Sequence, residues 1–121
     1  MASNNENNQS VELSIILISY NTAQITQDTI ESIYKSLQKR DMQTFELIVV
    51  DNASKDNSVQ ILEELAKKHS NLRLILSHEN LGFSKGNNLA FAQAQGKYVF
   101  FLNSDIIVLD DAIEELLHFY K

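Results

Sequence analysis

LIVVDNASKDNS, Leu47 to Ser58, decides how the rest of the chain is read. Its apolar residues run without alternation into an acid, Asp51, and the positions that follow are almost all hydrogen-bonding side chains. Unbroken apolar character over a short run marks a strand covered on both faces. Ser54 or Asp56 then suits the start of a helix. Asp51 is either a turn acid or a group at the mouth of a ligand crevice, and the surrounding pattern has to decide between the two.

The same alternation recurs on both sides. LSIILIS (Leu13 to Ser19) predicts a first buried strand, and Ile30, Ile33, Tyr34 and Leu37 repeat at helical spacing in a segment closing near Arg40. FELIVV (Phe45 to Val50) is the second strand. Val59, Leu62 and Ala66, flanked by Ile61 and Leu65, predict a second helix with Asp56 near its start. LRLILS (Leu72 to Ser77) is the third strand, and Leu89 to Ala94 predicts a short helix stopped by Gly96. KYVFFLNS (Lys97 to Ser104) is the fourth strand, and Ile113, Leu116, Leu117 and Tyr120 give a last helix. This order predicts an α/β fold of three layers, Rossmann-like, with a parallel sheet and helices on both faces.

Composition bounds the function. The 121 residues make one small domain, short for a complete enzyme with two substrates. A net charge of -6, from 10 basic and 16 acidic residues, argues against nucleic acid as a partner, because holding phosphates takes clustered Lys and Arg. Cysteine is absent, which excludes disulfides and thiolate metal sites and makes the cytoplasm the expected compartment. The opening MASNNENNQS has neither the basic nor the apolar part of a signal peptide and reads as a disordered polar leader over residues 1–11, with the folded domain over 12–121.

In a parallel sheet of this kind ligands bind beyond the carboxyl ends of the strands. Those ends are Ser19-Tyr20-Asn21, Asp51-Asn52-Ala53-Ser54, His78-Glu79-Asn80 and Asn103-Ser104-Asp105. Every strand opens into polar or ionisable groups at one rim, which favours the crevice for Asp51.

ISYN, VVDNASKDNS, ENLGFSKGNNLA and FLNSD, in this order and spacing, resemble the nucleotide-binding half of family 2 glycosyltransferases of the GT-A fold, rhamnosyltransferase-like in flavour, over about Glu12 to Lys121. The resemblance implies a sheet order 3-2-1-4. It also implies a UDP- or dTDP-sugar donor, a divalent metal (Mg²⁺ or Mn²⁺), inverting transfer and a glycan or lipid-linked acceptor in bacterial surface polysaccharide synthesis. With this it implies a cytoplasmic protein peripheral to the inner membrane. The candidate donor-binding residues are Ser19, Tyr20, Asn21, Asp51, Asn52, Ser54, Gly82, Lys85, Asn88, Asn103 and Ser104, and the candidate metal ligand is Asp105.

The chemistry fits these residue types. A pyrimidine needs an aromatic surface and a hydrogen-bond partner, which Tyr20 and Asp51 supply; Tyr20 packing on Leu81 or Phe83 is the competing reading. A carboxylate such as Asp105 anchors a hard cation whose shell is completed by water and phosphate oxygens. The family pattern Asp-X-Asp appears here as Asn103-Ser104-Asp105, so the first acid is an amide without charge. LGFSKGNN is no phosphate loop of the G-x-x-x-x-G-K-[ST] kind, since its lysine lies between Gly82 and Gly86. Glycines there allow close backbone approach, and Lys85 either faces the diphosphate or is simply solvated. His69, His78 and His118 lie in different elements and read as structural.

Inverting transfer needs a base for the acceptor hydroxyl. By resemblance that carboxylate belongs to a segment well beyond Asp105. Asp110, Asp111, Glu114 and Glu115 open the last helix, where acids face its dipole favourably, so capping is their expected role. The chain therefore reads as a donor-binding half, truncated after the Asp-X-Asp-like segment and inactive alone. Two other readings stay open: a non-catalytic interaction module keeping the fold, and a receiver domain, although Ser19-Tyr20 replaces the acidic pair a receiver requires. KYVFFLNS, apolar and charged only at Lys97, would form an unprotected sheet edge suited to a homodimer.

Overall fold

The computed structural model describes residues 11–121; apart from Val11, the leader expected over 1–11 lies outside the described residues. Four strands, β1 (Leu13–Ser19), β2 (Phe45–Asp51), β3 (Leu72–Leu76) and β4 (Tyr98–Phe101), alternate with four helices. These are α1 (Ala23–Ser36), α2 (Ser58–Lys68), α3 (Gly82–Phe91) and α4 (Ala112–Tyr120). All strand pairs are parallel and the order is β3-β2-β1-β4, as the resemblance implied.

The unbroken apolar runs have a direct cause. Alternate residues of β1 and β2 point to opposite faces, and both faces are covered. Leu13, Ile15, Leu17, Leu47 and Val49 join Ile30 and Ile33 of α1, Leu62 and Leu65 of α2, and Ile113 and Leu117 of α4 in the larger core. Ile16, Ile48 and Val50 form the smaller core with Ala90 of α3. Ser14 and Glu46 interrupt the apolar pattern on this second face. The Ser14 hydroxyl donates to Glu46 Oε2 at 2.6 Å, the Gln95 amide donates to the same oxygen at 2.7 Å, and the Gly96 amide donates to the Ser14 hydroxyl at 2.8 Å. This buried polar set fastens the turn before β4 to the middle of the sheet.

Three boundaries and one cap depart most from expectation, each for a local reason. Helix α1 ends at Ser36 instead of near Arg40, and the chain tightens into turns, with Arg40 N donating to Leu37 O at 2.9 Å. Helix α3 starts at Gly82, well before the expected Leu89, and takes in the segment GFSKGNN. Its inner stripe is Gly86 and Ala90, residues too small to register as apolar periodicity, and they let the helix lie close to the sheet. Strand β4 is shorter than Lys97 to Ser104. After Leu102 N donates to Ile16 O at 3.0 Å the chain leaves the ladder for α1. Acids do open α4, with Glu114 and Glu115 in its first turn, but Asp111 occupies the N-cap without a side-chain cap bond, and Glu114 pairs with Arg40 at 2.7 and 2.8 Å.

Candidate nucleotide-binding rim

The parallel register sets Ser19 beside Asp51 at the carboxyl ends of β1 and β2, and Asn52 N donates to Ser19 O at 2.8 Å to hold the two ends together. Asp51 is 1% exposed. Its Oδ1 accepts from the Ser54 hydroxyl at 2.6 Å and its Oδ2 from the Ser54 amide at 2.9 Å, so both oxygens close the turn that follows β2. Ser19 is buried with its hydroxyl 3.0 Å from that of Thr26. Tyr20 follows it onto the surface at 43% exposure.

Asn52 is buried as well and acts across to α3. Its Nδ2 donates to Gly82 O at 3.2 Å and its Oδ1 accepts from Leu81 N at 3.4 Å. Gly82 N in turn donates to Asn80 Oδ1 at 2.9 Å, and Gly82 has φ +78, the left-handed region that glycine adopts without cost. A Cβ on Gly82 would meet nothing within 4 Å, so the backbone conformation and not space calls for glycine. Gly86 is different: a Cβ there would stand 3.1 Å from Ile18 Cδ1.

Beyond β4, the chain is held by α1. Thr29, fully buried, places its hydroxyl 2.9 Å from Ser104 O and 2.7 Å from Ile106 O, and Val108 N donates to the Ser32 hydroxyl at 2.9 Å. Asp105 sits between the two carbonyls that Thr29 holds, with its side chain in solvent, as is that of Asn103.

A shallow cleft of about 340 Å³ opens where these loops meet, lined by Ile18, Tyr20, Thr22, Asn52, Asn80, Gly82, Phe83 and Ser104. It brings together Tyr20, Asn52, Gly82 and Ser104 from the expected set, with Asp51 and Ser19 beneath the rim. Lys85 and Asn88 are exposed on α3 and Asn103 and Asp105 lie on the surface, none of them lining the cleft. Ile18, Thr22, Asn80 and Phe83 were not expected there. Asn80 stood in the third rim triplet and Phe83 beside Gly82, so position along the rim was the available signal. Tyr20 and Phe83 line the same cleft, but no ring pair joins them among the described residues. A larger hollow, about 620 Å³, lies at the opposite, amino end of the strands around Met42, Glu46 and Arg73, away from these loops. The histidine expectation holds for His69, whose ring stacks on Tyr34 at 3.7 Å.

Among the described residues no three His, Cys, Asp or Glu side chains converge on a point where they would hold a metal. The rim donor set nonetheless suits a cation that takes one protein carboxylate and completes its shell elsewhere: Asp105 is solvent-facing and its backbone neighbours are fixed by Thr29.

Residues 14–121 match the sequence model of the family described as Glycosyl transferase family 2. TuaG of Bacillus subtilis, a glycosyltransferase assigned to teichuronic acid biosynthesis, is 33% identical over 107 residues, which are 88% of this chain and 41% of that protein. The crystal structure of Staphylococcus aureus TarS 1-349 in complex with UDP-GlcNAc superposes with a TM-score of 0.78 at 28% identity, over 90% of this chain and 31% of that one. A mannosyltransferase of Pyrobaculum calidifontis, solved in complex with GDP-Man and Mn²⁺, shares the fold at 24% identity and a TM-score of 0.77, over 90% and 31% of the two chains. The chain thus spans less than half the length of these relatives. With a family match running from β1 to the end of α4 and a sheet in the order of solved GT-A enzymes, the receiver alternative falls away: the chain belongs to glycosyltransferase family 2 and has the GT-A fold.

Proposed function

We propose that this chain is the donor-binding part of an inverting glycosyltransferase and holds a nucleoside-diphosphate sugar along the rim. The observation that carries the reading is the cleft at the carboxyl ends of the strands, where Tyr20, Asn52, Gly82 and Ser104 meet beside the buried carboxylate of Asp51. The base of a UDP- or dTDP-sugar stacks on Tyr20 and gives its N–H to Asp51. The sugar and diphosphate run past Gly82 and Ser104 toward Asn103, with Lys85 and Asn88 of α3 on the approach. Asn52 lines this surface, Ser19 supports it from beneath, and Asn21 and Ser54 stand at its edge.

Asp105 anchors Mg²⁺ or Mn²⁺, which when bound supplies positive charge for the diphosphate oxygens. The residues of the chain bind and orient the donor. The pairing of Glu114 with Arg40, and the place of Asp110 and Asp111 beside Lys35 and Lys39, favour a base for the glycan or lipid-linked acceptor that lies elsewhere than at the start of α4. On this reading the chain alone does not carry out transfer. The complete enzyme works in surface polysaccharide synthesis, in the cytoplasm at the inner face of the membrane. Two copies of the chain associate through β4, whose free edge carries Phe101 at 49% exposure.

Calorimetric titration of UDP, dTDP and GDP into the wild type and Asp51→Asn tests the reading. A charge-assisted hydrogen bond contributes about 1.5–3 kcal/mol, so the variant should bind at least about tenfold more weakly. Affinity within a factor of about two of the wild type, at unchanged thermal stability, removes Asp51 from the site. Absence of binding for all three nucleotides in the wild type leaves the interaction module.

A further inference from the structure

The buried acid beneath the rim is not free. Ser54 closes on both of its oxygens, through its amide at 2.9 Å and its hydroxyl at 2.6 Å. That hydroxyl has one proton, and the short contact to a carboxylate commits it to Asp51. Toward Asn21 N, 2.8 Å away, Ser54 Oγ is therefore the acceptor. Asn21 returns the contact, its Oδ1 accepting from Lys55 N at 2.7 Å. Each loop thus gives a backbone donor to a side chain of the other. Two left-handed residues accompany it: Ala53 at φ +63 folds Ser54 back over Asp51, and Asn21 has φ +52 where its side chain reaches Lys55 N. Asparagine tolerates that region, but alanine costs roughly 1 kcal/mol there, which the bonds around it must offset.

We propose that Ser54 and Asn21 form a two-way clasp that positions the Asp51 carboxylate and the neighbouring Tyr20 as a single unit, and so set nucleoside affinity without touching the nucleoside. The inference rests on the reading of the rim as a nucleoside-diphosphate site. Asp51 belongs to β2 and Tyr20 to the loop after β1, and the clasp links the two loops above the last strand pair, Ser19 and Asp51, with a longer bond from Ala23 N to Asp56 Oδ2 at 3.3 Å further along. Each carboxylate oxygen has two acceptor positions, so one contact to Ser54 on each leaves a lone pair that the clasp does not use. The clasp therefore orients Asp51 and does not saturate it.

The test titrates uridine, UDP and inorganic pyrophosphate with Mn²⁺ into the wild type, Ser54→Ala, Ser54→Thr and Asn21→Gly. Ser54→Ala should weaken uridine and UDP by about five- to tenfold, the loss expected when an orienting hydrogen bond goes, while pyrophosphate stays within about a factor of two. Ser54→Thr, which keeps the hydroxyl, should recover most of the loss. Asn21→Gly keeps the left-handed backbone and should weaken uridine by about two- to fivefold. Uridine affinity unchanged in Ser54→Ala, a parallel fall for pyrophosphate, or no recovery with threonine overturns the proposal.

A second arm needs no ligand. In the free protein the Asn21 amide should exchange with solvent about fivefold faster or more in Ser54→Ala, and return toward the wild-type rate in Ser54→Thr. Unchanged exchange overturns the clasp whatever the titrations give. A wild type that binds none of the three ligands, with the exchange result as expected, refutes the nucleotide reading and the positioning role while leaving the clasp as a feature of the fold.

Discussion

Gly96 has the tightest surroundings of the three glycines, and Gly96→Ala tests whether the turn before β4 is fixed as described. A Cβ at Gly96 would stand 2.5 Å from Ser14 N, 2.6 Å from Ser14 Oγ and 2.8 Å from Leu13 C. Two of these three atoms are backbone of β1, a strand buried on both faces and paired on both sides, so it cannot give way. The turn has to move outward instead. That strains the bond from Gly96 N to Ser14 Oγ and loosens the bond from Gln95 N to Glu46 Oε2, a carboxylate that is 5% exposed.

Overpacking of this kind costs about 1–3 kcal/mol, and weakening a hydrogen bond to a buried charge adds about 1 kcal/mol, so the expected loss is about 2–4 kcal/mol. For a domain near this size each kcal/mol lowers Tm by roughly 4 °C or more, so a drop of about 8–16 °C should appear in thermal unfolding followed by far-UV circular dichroism. Gly86→Ala is the internal control. There the 3.1 Å neighbour is the end of the Ile18 side chain, which can shift, and a helical Gly→Ala exchange gains roughly 0.5–1 kcal/mol, so Tm should change by no more than about 4 °C in either direction. A Gly96→Ala protein unfolding within about 3 °C of the wild type would refute the close approach of this turn to β1.

Three further expectations concern other parts of the chain. Arg40 donates to both oxygens of Glu114 and to Glu12, and Lys121 also bonds Glu12, so both carboxyls lie below their ordinary value of 4.5. A depressed carboxyl stabilises the fold above its unfolded pKa and loses that contribution as pH falls through its folded value. Urea unfolding should therefore show stability falling below about pH 4.5, with Arg40→Leu about 1–2 kcal/mol less stable at pH 7 and flatter in acid; these groups are partly exposed, which keeps the figure small. Thr29→Val removes the hydroxyl that holds Ser104 O and Ile106 O and should reduce the gain that Mn²⁺ gives to UDP binding by about threefold or more, read by titration with and without the metal. Phe101→Lys should shift a high-micromolar dimer toward monomer in sedimentation velocity; a wild type that stays monomeric over that range would show that the β4 edge is protected.

The central strands were legible because burial on both faces writes itself as an unbroken apolar run, and the rim followed from where those runs stop. Helix α3 was not, since Gly86 and Ala90 make its contact with the sheet and small residues carry little apolar signal. Thr29 looked like one more polar residue among the apolar positions of α1; its partners are more than 70 positions away. The same distance hid the role of Glu114, which seemed placed for the dipole of its own helix but spends its charge on Arg40. Asp51 does end β2, but its burial and its engagement by Ser54 depend on a left-handed alanine, a conformation that no sequence preference announces. The order of the strands came from the family resemblance, because periodicity alone does not order a parallel sheet.

The central claim is that base and diphosphate occupy separate parts of one rim, the base at Tyr20 and Asp51 and the diphosphate toward Asp105. Calorimetric titration of uridine and UDP, each with and without Mn²⁺, into the wild type and Asp105→Asn tests it most directly. The account predicts that Mn²⁺ strengthens UDP binding by at least about fivefold, leaves uridine within a factor of about two, and has no effect on UDP in Asp105→Asn. Equal dependence on Mn²⁺ for uridine and UDP, or a full metal effect in Asp105→Asn, would contradict it.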